Sequence, residues 1–363
     1  MKAFDNTLGT PDHSHTAQKA HNNQYNERFR DSFYSRAVAM LNSAMYSPQM
    51  DLDTNSSPSA FFLIGISGLE SAHPWLGLPF CIMYIVALLG NSALLLAIRL
   101  DRTLHNPMFY FLGMLGVIDV VMATSTVPKM LDIFWEGSPK IGSNACFIQM
   151  FLIHSVTAME SGVLLAMAFD RYVAIGHPLR YEAILTPRRV AQIGLAILVR
   201  GVLFMVPLSW MVSNLPYCAS RRIPHSYCEH MAVVKLACVD STASHVYIVA
   251  GSTLIVGSDT AFIAVSYGLV LRAVRKLSEK AEQLKAFSTC SSHLCVMLLY
   301  YLPGMASIYM QGFRQGAPPH AQVLLADLYL ILPPTLNPVI YSIRMKQVRK
   351  ALRRVFPFGP ASW

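Results

Sequence analysis

The chain has 363 residues, 53% of them hydrophobic and 13% charged, with a formal net charge of +9. So small a charged fraction cannot clothe a water-soluble globule of this size, and it points to a membrane protein. The basic residues hug segments next to long apolar runs, which makes anionic inner-leaflet lipid their counter-charge rather than nucleic acid.

Residues 1–74 read as an extracellular, largely disordered tail. Up to about residue 60 it is polar, rich in Asn, Ser and His, and holds no apolar stretch that could serve as a cleavable signal. The first membrane span is then expected to act as the signal anchor. The stretch from Met50 onward is already a complete short tail, so residues 1–49 read as an optional extension. Asn55-Ser56-Ser57 is the one N-x-S/T sequon on the predicted outside and marks Asn55 for a glycan, with Pro58 lowering occupancy. His13, His15 and His21 lack the spacing of a metal site.

Seven apolar runs follow: Trp75–Ile98, Pro107–Leu131, Ile148–Ala174, Val190–Met211, His245–Leu271, Ala286–Met310 and Ala321–Ile343. Each is long enough to cross a hydrocarbon core, which takes about 20 helical residues. Lipid offers backbone groups no partners, so the spans must be helices, and the alternating segments of a β-barrel are absent. The predicted fold is an all-α membrane protein, a seven-helix receptor domain over residues 75–343. Residues 344–363 form a cytoplasmic tail in which Val348, Leu352, Val355 and Phe356 share one face of a short amphipathic helix.

Basic residues near membrane ends accumulate in the cytoplasm. One set of connections carries seventeen of them: Arg99, Arg102, Arg171, Arg180, Arg188, Arg189, Arg272, Arg275, Lys276, Lys280, Lys285, Arg344, Lys346, Arg349, Lys350, Arg353 and Arg354. The opposite loops hold only Lys140, Arg221, Arg222, Lys235 and Arg314. The N-terminus is therefore outside and the C-terminus inside.

Asp119 in the second span and Glu160 in the third lie at mid-membrane depth, where an ionised group is costly without a partner. With Asn91 and Asn337 they could coordinate one cation through oxygen, or one acid could be protonated and simply hydrogen-bonded. Met167-Ala168-Phe169-Asp170-Arg171-Tyr172-Val173-Ala174-Ile175 closes the third span on the inside. Asp170 can hold Arg171 in a resting pair whose release frees the guanidinium for a partner. Cys146 opens the third span outside, and Cys218, Cys228 and Cys238 lie in the long second outer loop. Spacing leaves three disulfide pairings open, with a zinc site of Cys218, His225, Cys228 and His230 as a rival. Asn337-Pro338-Val339-Ile340-Tyr341 puts a proline kink in the last span.

Seven spans, Asp170-Arg171-Tyr172 and Asn337 to Tyr341 resemble rhodopsin-like, G-protein-coupled receptors. Leu104-His105-Asn106-Pro107-Met108-Phe109, His177-Pro178-Leu179-Arg180-Tyr181 and Lys285-Ala286-Phe287-Ser288-Thr289-Cys290-Ser291-Ser292-His293 narrow the resemblance to olfactory receptors over about residues 60–356. Gly65-Ile66-Ser67-Gly68-Leu69-Glu70, Phe151-Leu152-Ile153-His154 and His225-Ser226-Tyr227-Cys228-Glu229-His230 are similar to the class I, fish-like, group. Gly176 stands where the family usually has cysteine, and Ser342 where it has glycine. Gln311-Gly312-Phe313-Arg314 replaces a His-Arg-Phe-Gly stretch, so the carboxylate-binding arginine has no counterpart at Gly312. That argues against a short fatty acid bound in the usual class I way, unless Arg314 or Arg221 substitutes.

The resemblance implies a plasma-membrane receptor for a small odorant, coupled through a stimulatory heterotrimeric G protein to cyclic AMP. It implies disulfides Cys146–Cys228 and Cys218–Cys238, a sodium ion at Asp119 and Glu160, Tyr341 as a switch residue and Tyr267 as its partner. The ligand pocket is expected between the outer halves of spans three, five, six and seven, under the second outer loop. Helical spacing puts Met150, His154, Thr157, Ala158 and Ser161 on one inward stripe of span three. The other candidate ligand contacts are Ser252 and Val256, Tyr301, Gly304, Met305 and Ile308, and Asp327, with Pro303 bending span six. His154 either donates to an oxygenated odorant or braces the loop. No nucleophile with a base, nor a metal triad, appears at one depth, so an enzyme is not expected. An ion channel or transporter built on Asp119 and Glu160 is opposed by the lack of an internal repeat or a second charged pathway. An extra-nasal chemosensor is a further alternative within the same class.

Overall fold

A computed structural model describes residues 59–218, 220–276, 279–312 and 318–356. Seven long helices carry the chain back and forth: α1 (His73–Leu100), α2 (Pro107–Leu131), α3 (Ser143–Gly176), α4 (Pro187–Ser213), α5 (Thr242–Arg275), α6 (Lys280–Gly312) and α7 (Pro319–Arg344). A shorter α8 (Lys346–Val355) comes after them. Most of the seven run past the predicted apolar spans at both ends. The apolar run measures the hydrocarbon core, about 30 Å, whereas the 34 residues of α3 rise about 51 Å. The surplus turns reach into the headgroup region.

Starts are written locally. Pro107, Pro187 and Pro319 each sit in the first turn of a helix, where a missing N–H costs nothing. Thr186 caps α4 by accepting from the Arg189 N–H at 3.3 Å. Six helices are apolar over a membrane-length window, while in α6 the apolar part is His293–Gly304, because its cytoplasmic third carries Lys280, Glu282 and Lys285.

α3 is the buried axis, packed on α2, α4 and α5, while α1 and α6 lean on α7. Outward leucines such as Leu89, Leu203, Leu254 and Leu302 remain more than half exposed, as a lipid-facing surface requires. α8 buries Val348 and Ala351, with Leu352 and Val355 packed on the same core, and Arg354 reaches Asp101 of the first inner turn at 3.1 Å.

The outer face holds an element the sequence does not announce. β1 (Ala60–Leu63) pairs antiparallel with β2 (Lys140–Gly142) and parallel with β3 (Arg222–Ile223). Phe61, Leu63 and Ile66 are fully buried there. The expectation of a disordered tail through residue 74 is thus corrected for its last part, 59–74, because β1 finds strand partners in the first and second outer connections and α1 already begins at His73. Gly65 turns the chain at φ 77°, and a Cβ there would lie 2.8 Å from the His73 ring, which bonds back to the Ile66 carbonyl at 3.2 Å. Asn55 and residues 1–49 lie outside the described residues.

Candidate functional site

At the cytoplasmic end of α3, Asp170 is fully buried and pairs with Arg171. A short helical turn, Tyr181–Ile184, sets the Tyr181 hydroxyl to donate to the other Asp170 oxygen at 2.7 Å. Burial, then the Asp170 carboxylate, push that hydroxyl well above the usual phenol range. Tyr172 lies on the facing cluster with Ile175, Tyr267 and Cys290. Tyr341 is fully buried and its hydroxyl, like that of Tyr267, has no hydrogen-bond partner among the described residues. The two predicted switch tyrosines are therefore not bonded to each other here. His293 of α6 instead packs its ring 6.0 Å from Tyr341.

The α7 kink has a compensated backbone. Pro338 cannot donate to the Pro334 carbonyl four residues back, and Asn91 Nδ2 donates to that oxygen instead at 2.9 Å. Gly90 makes room, since a Cβ there would sit 2.8 Å from the Pro338 ring. Asn337 Nδ2 donates to both Asp119 oxygens at 3.2 and 3.1 Å. Asn91 Oδ1, Asn337 Oδ1 and Glu160 Oε1 are buried without partners among the described residues. Asp119 and Asn337 thus meet inside the bundle, and Asn91 and Glu160 add unpartnered buried oxygens of the kind a hard cation takes.

Arg200 of α4 and Asp259 of α5 form a second charged site that sequence reasoning passes over. Asp259 accepts two bonds from Arg200, both 2.8 Å, and a third from Ser161 Oγ at 2.8 Å. Ser161 also bonds the Tyr301 hydroxyl at 3.0 Å, so α3, α4, α5 and α6 share one network. The pair is one charged site and not a pathway through the membrane. It was legible, because an Arg and an Asp inside apolar spans ask for each other.

The outer layer sits under the second outer connection. Cys146–Cys228 and Cys218–Cys238 are both bonded, which leaves no thiolate for the rival zinc site. Ser226 donates to Asp327 at 2.9 Å, and the Cys228 N–H donates to Gln149 at 2.9 Å. Glu229 caps a short helix, His230–Val234, through the Ala232 N–H. His230 stands edge-on to His154, ring centroids 6.4 Å apart. Burial pushes His230 down to about 3 and lowers His225 as well.

The predicted contact residues divide. His154, Asp327, Ser161 and Tyr301 lie on these layers, and Gly304 packs against the Tyr329 ring, 3.0 Å from a notional Cβ. Met150 is buried in the outer core with Cys146 and Cys228. The Thr157 carbonyl accepts from Tyr300, and the Ala158 carbonyl from Arg200. Ser252 turns its hydroxyl onto the Val249 carbonyl of its own helix, and the Val256 carbonyl accepts from Thr260. The side chains of Met305 and Ile308 lie outside the described residues, as do those at 311–314. A cleft of about 290 Å³ opens between α3 and α4, with Leu165, Phe169, Ile197 and Arg200 among its walls. It includes none of the predicted contacts, and its apolar walls suit lipid better than a recognised ligand.

The family model for olfactory receptors matches residues 80–357. The chain belongs to the olfactory receptor family. It is 55% identical to human Olfactory receptor 52I2 over 300 residues, 82% of this chain and 86% of that one. Human Olfactory receptor 52I1 is 54% identical over 82% of this chain and 93% of its own, and human Olfactory receptor 52P1 48% identical over 84% and 95%. These are class I, rhodopsin-like receptors, so the olfactory receptor described here is a multi-pass plasma-membrane receptor and not an enzyme.

Proposed function

We propose that this receptor is activated by a small odorant held beneath the second outer connection, and that it signals through a stimulatory heterotrimeric G protein to cyclic AMP. The observation that carries the proposal is the Asp170–Arg171 pair, locked by Tyr181 at the cytoplasmic mouth. Its guanidinium is held in reserve by one carboxylate, so a movement that loosens that carboxylate frees a planar, bidentate donor for a G-protein segment. Ligand contact reaches α6 through Ser161 and Tyr301, and Pro303 gives α6 the bend on which its inner half swings outward. Basic residues of α8 face the anionic inner leaflet. The experiment is cyclic AMP accumulation under an odorant panel, in cells displaying the receptor at equal surface density. Arg171→Ala should abolish the response, and an intact response would overturn the mechanism.

Asp119 and Glu160, with the free oxygens of Asn91 and Asn337, are proposed to hold a sodium ion that favours the resting state. Thermal stability should rise on exchanging choline for sodium in wild type and not in Asp119→Asn. The receptor domain is taken as residues 75–343, with 1–49 dispensable, so a chain beginning at Met50 should respond as the full chain does.

A further inference from the structure

The unpartnered polar atoms of the outer half gather under one strip of loop, Ser226 to His230. At one end Ser226 bonds Asp327 of α7, at the other His230 stands against His154 of α3, and Cys228 in between is tied to the head of α3. Four residue steps, at most about 14 Å of chain, separate the two ends. Asp327 is 0% exposed, and its Oδ1 has no hydrogen-bond partner among the described residues. Neither ring nitrogen of His230 has one, nor has His154 Nε2. The four described ion pairs engage other carboxylates, and none reaches Asp327 or Glu229. Among the described residues the strip thus covers one buried carboxyl oxygen, Asp327 Oδ1, that has no donor, and imidazole nitrogens that have no partner.

We infer that Asp327 anchors the positively charged, hydrogen-bond-donating head of the ligand, a protonated alkyl amine. The inference rests on the proposal that the activating ligand sits beneath this loop. A buried carboxylate with an unused lone pair is completed by an ammonium donor, whereas a carboxylate ligand has no proton to offer that oxygen.

The test uses octylamine, octanol and octanoic acid on the full chain, purified in lipid nanodiscs and read by thermal shift, with cyclic AMP read in cells. Octylamine should stabilise the wild type at lower concentration than either partner of equal length. Asp327→Asn should weaken octylamine about thirtyfold or more, the usual cost of removing one partner of a buried charge pair, and leave octanol unchanged. Ser226→Ala, which keeps the carboxylate, should preserve amine binding. Octanoic acid binding as well as octylamine, no octylamine shift in wild type, or an unchanged Asp327→Asn would each overturn the inference. If Asp327→Asn fails to fold, the wild-type ranking of the three probes decides alone. Arg171→Ala separates the two proposals: an octylamine shift retained while cyclic AMP stays responsive sinks the signalling mechanism and leaves the amine site standing.

Discussion

Asparagine in place of Asp259 keeps the side chain's shape and removes its charge, leaving the Arg200 guanidinium in the membrane with only neutral acceptors, the new amide oxygen and the Ala158 carbonyl. Breaking a buried ion pair from one side costs about 3–5 kcal/mol. Asp259 is 2% exposed but Arg200 is 33% exposed, so the lower end, about 3 kcal/mol, is the better figure here. Arg200→Gln should cost a similar amount by stranding the carboxylate on Ser161. The double variant leaves two neutral amides able to bond each other and should cost less than either single change. Unfolding free energies in bicelles, titrated with dodecyl sulfate, measure all four corners of the cycle. If the two losses simply add, to within about 0.5 kcal/mol, the residues are energetically independent and the network reading is refuted.

Tyr181→Phe deletes one hydrogen bond to a charged acceptor, about 1.5 kcal/mol, and should raise ligand-free cyclic AMP roughly tenfold through the loosened Asp170. Unchanged basal signalling would show that the hydroxyl does not guard the switch. Burial keeps His230 neutral down to about 3, against an ordinary 6.5. The unfolded loop takes up a proton first, so this contribution to stability is complete above 6.5 and is lost as the pH falls from 6.5 toward 3. At pH 5.5 the loss is about 1.4 kcal/mol, and His230→Asn should flatten the difference in melting temperature between pH 7.5 and 5.5. Cys146–Cys228 spans 82 residues and Cys218–Cys238 spans 20. Loop-closure entropy then makes them worth about 4.5 and 3.3 kcal/mol. Removing the first pair by serine substitution should depress surface display more than removing the second.

The spans, their direction and the Asp170–Arg171 pair can be read from the residues because lipid leaves so few options: apolar length fixes the helices, and basic residues fix the sides. Asp119, Glu160 and Asp327 announce themselves as ionisable groups at forbidding depth. Arg200 and Asp259 carry the same signal, but their meaning depends on α4 meeting α5, which no local pattern states. The stripe on α3 reads as one face, yet its members serve three neighbours: Met150 joins the outer core, His154 meets the loop, and the Ala158 carbonyl turns to α4. β1 escapes notice for a related reason. A four-residue strand has no periodicity to read, and its partners lie about 80 and 160 positions away.

The small sheet has a mechanical consequence. β1 gathers the incoming chain and the first two outer connections into one patch, Cys146–Cys228 welds that patch to the head of α3, and Cys218–Cys238 closes the second connection on itself. The extracellular rim of the bundle is thus cross-braced, while among the described ion pairs only Arg354–Asp101 joins separate connections on the inner rim. A bundle clamped at one end and loose at the other converts a small push at the clamp into a wide excursion at the free end. Under the proposed activation, an odorant need only tilt a helix slightly at the clamped end for the cytoplasmic mouth to gape.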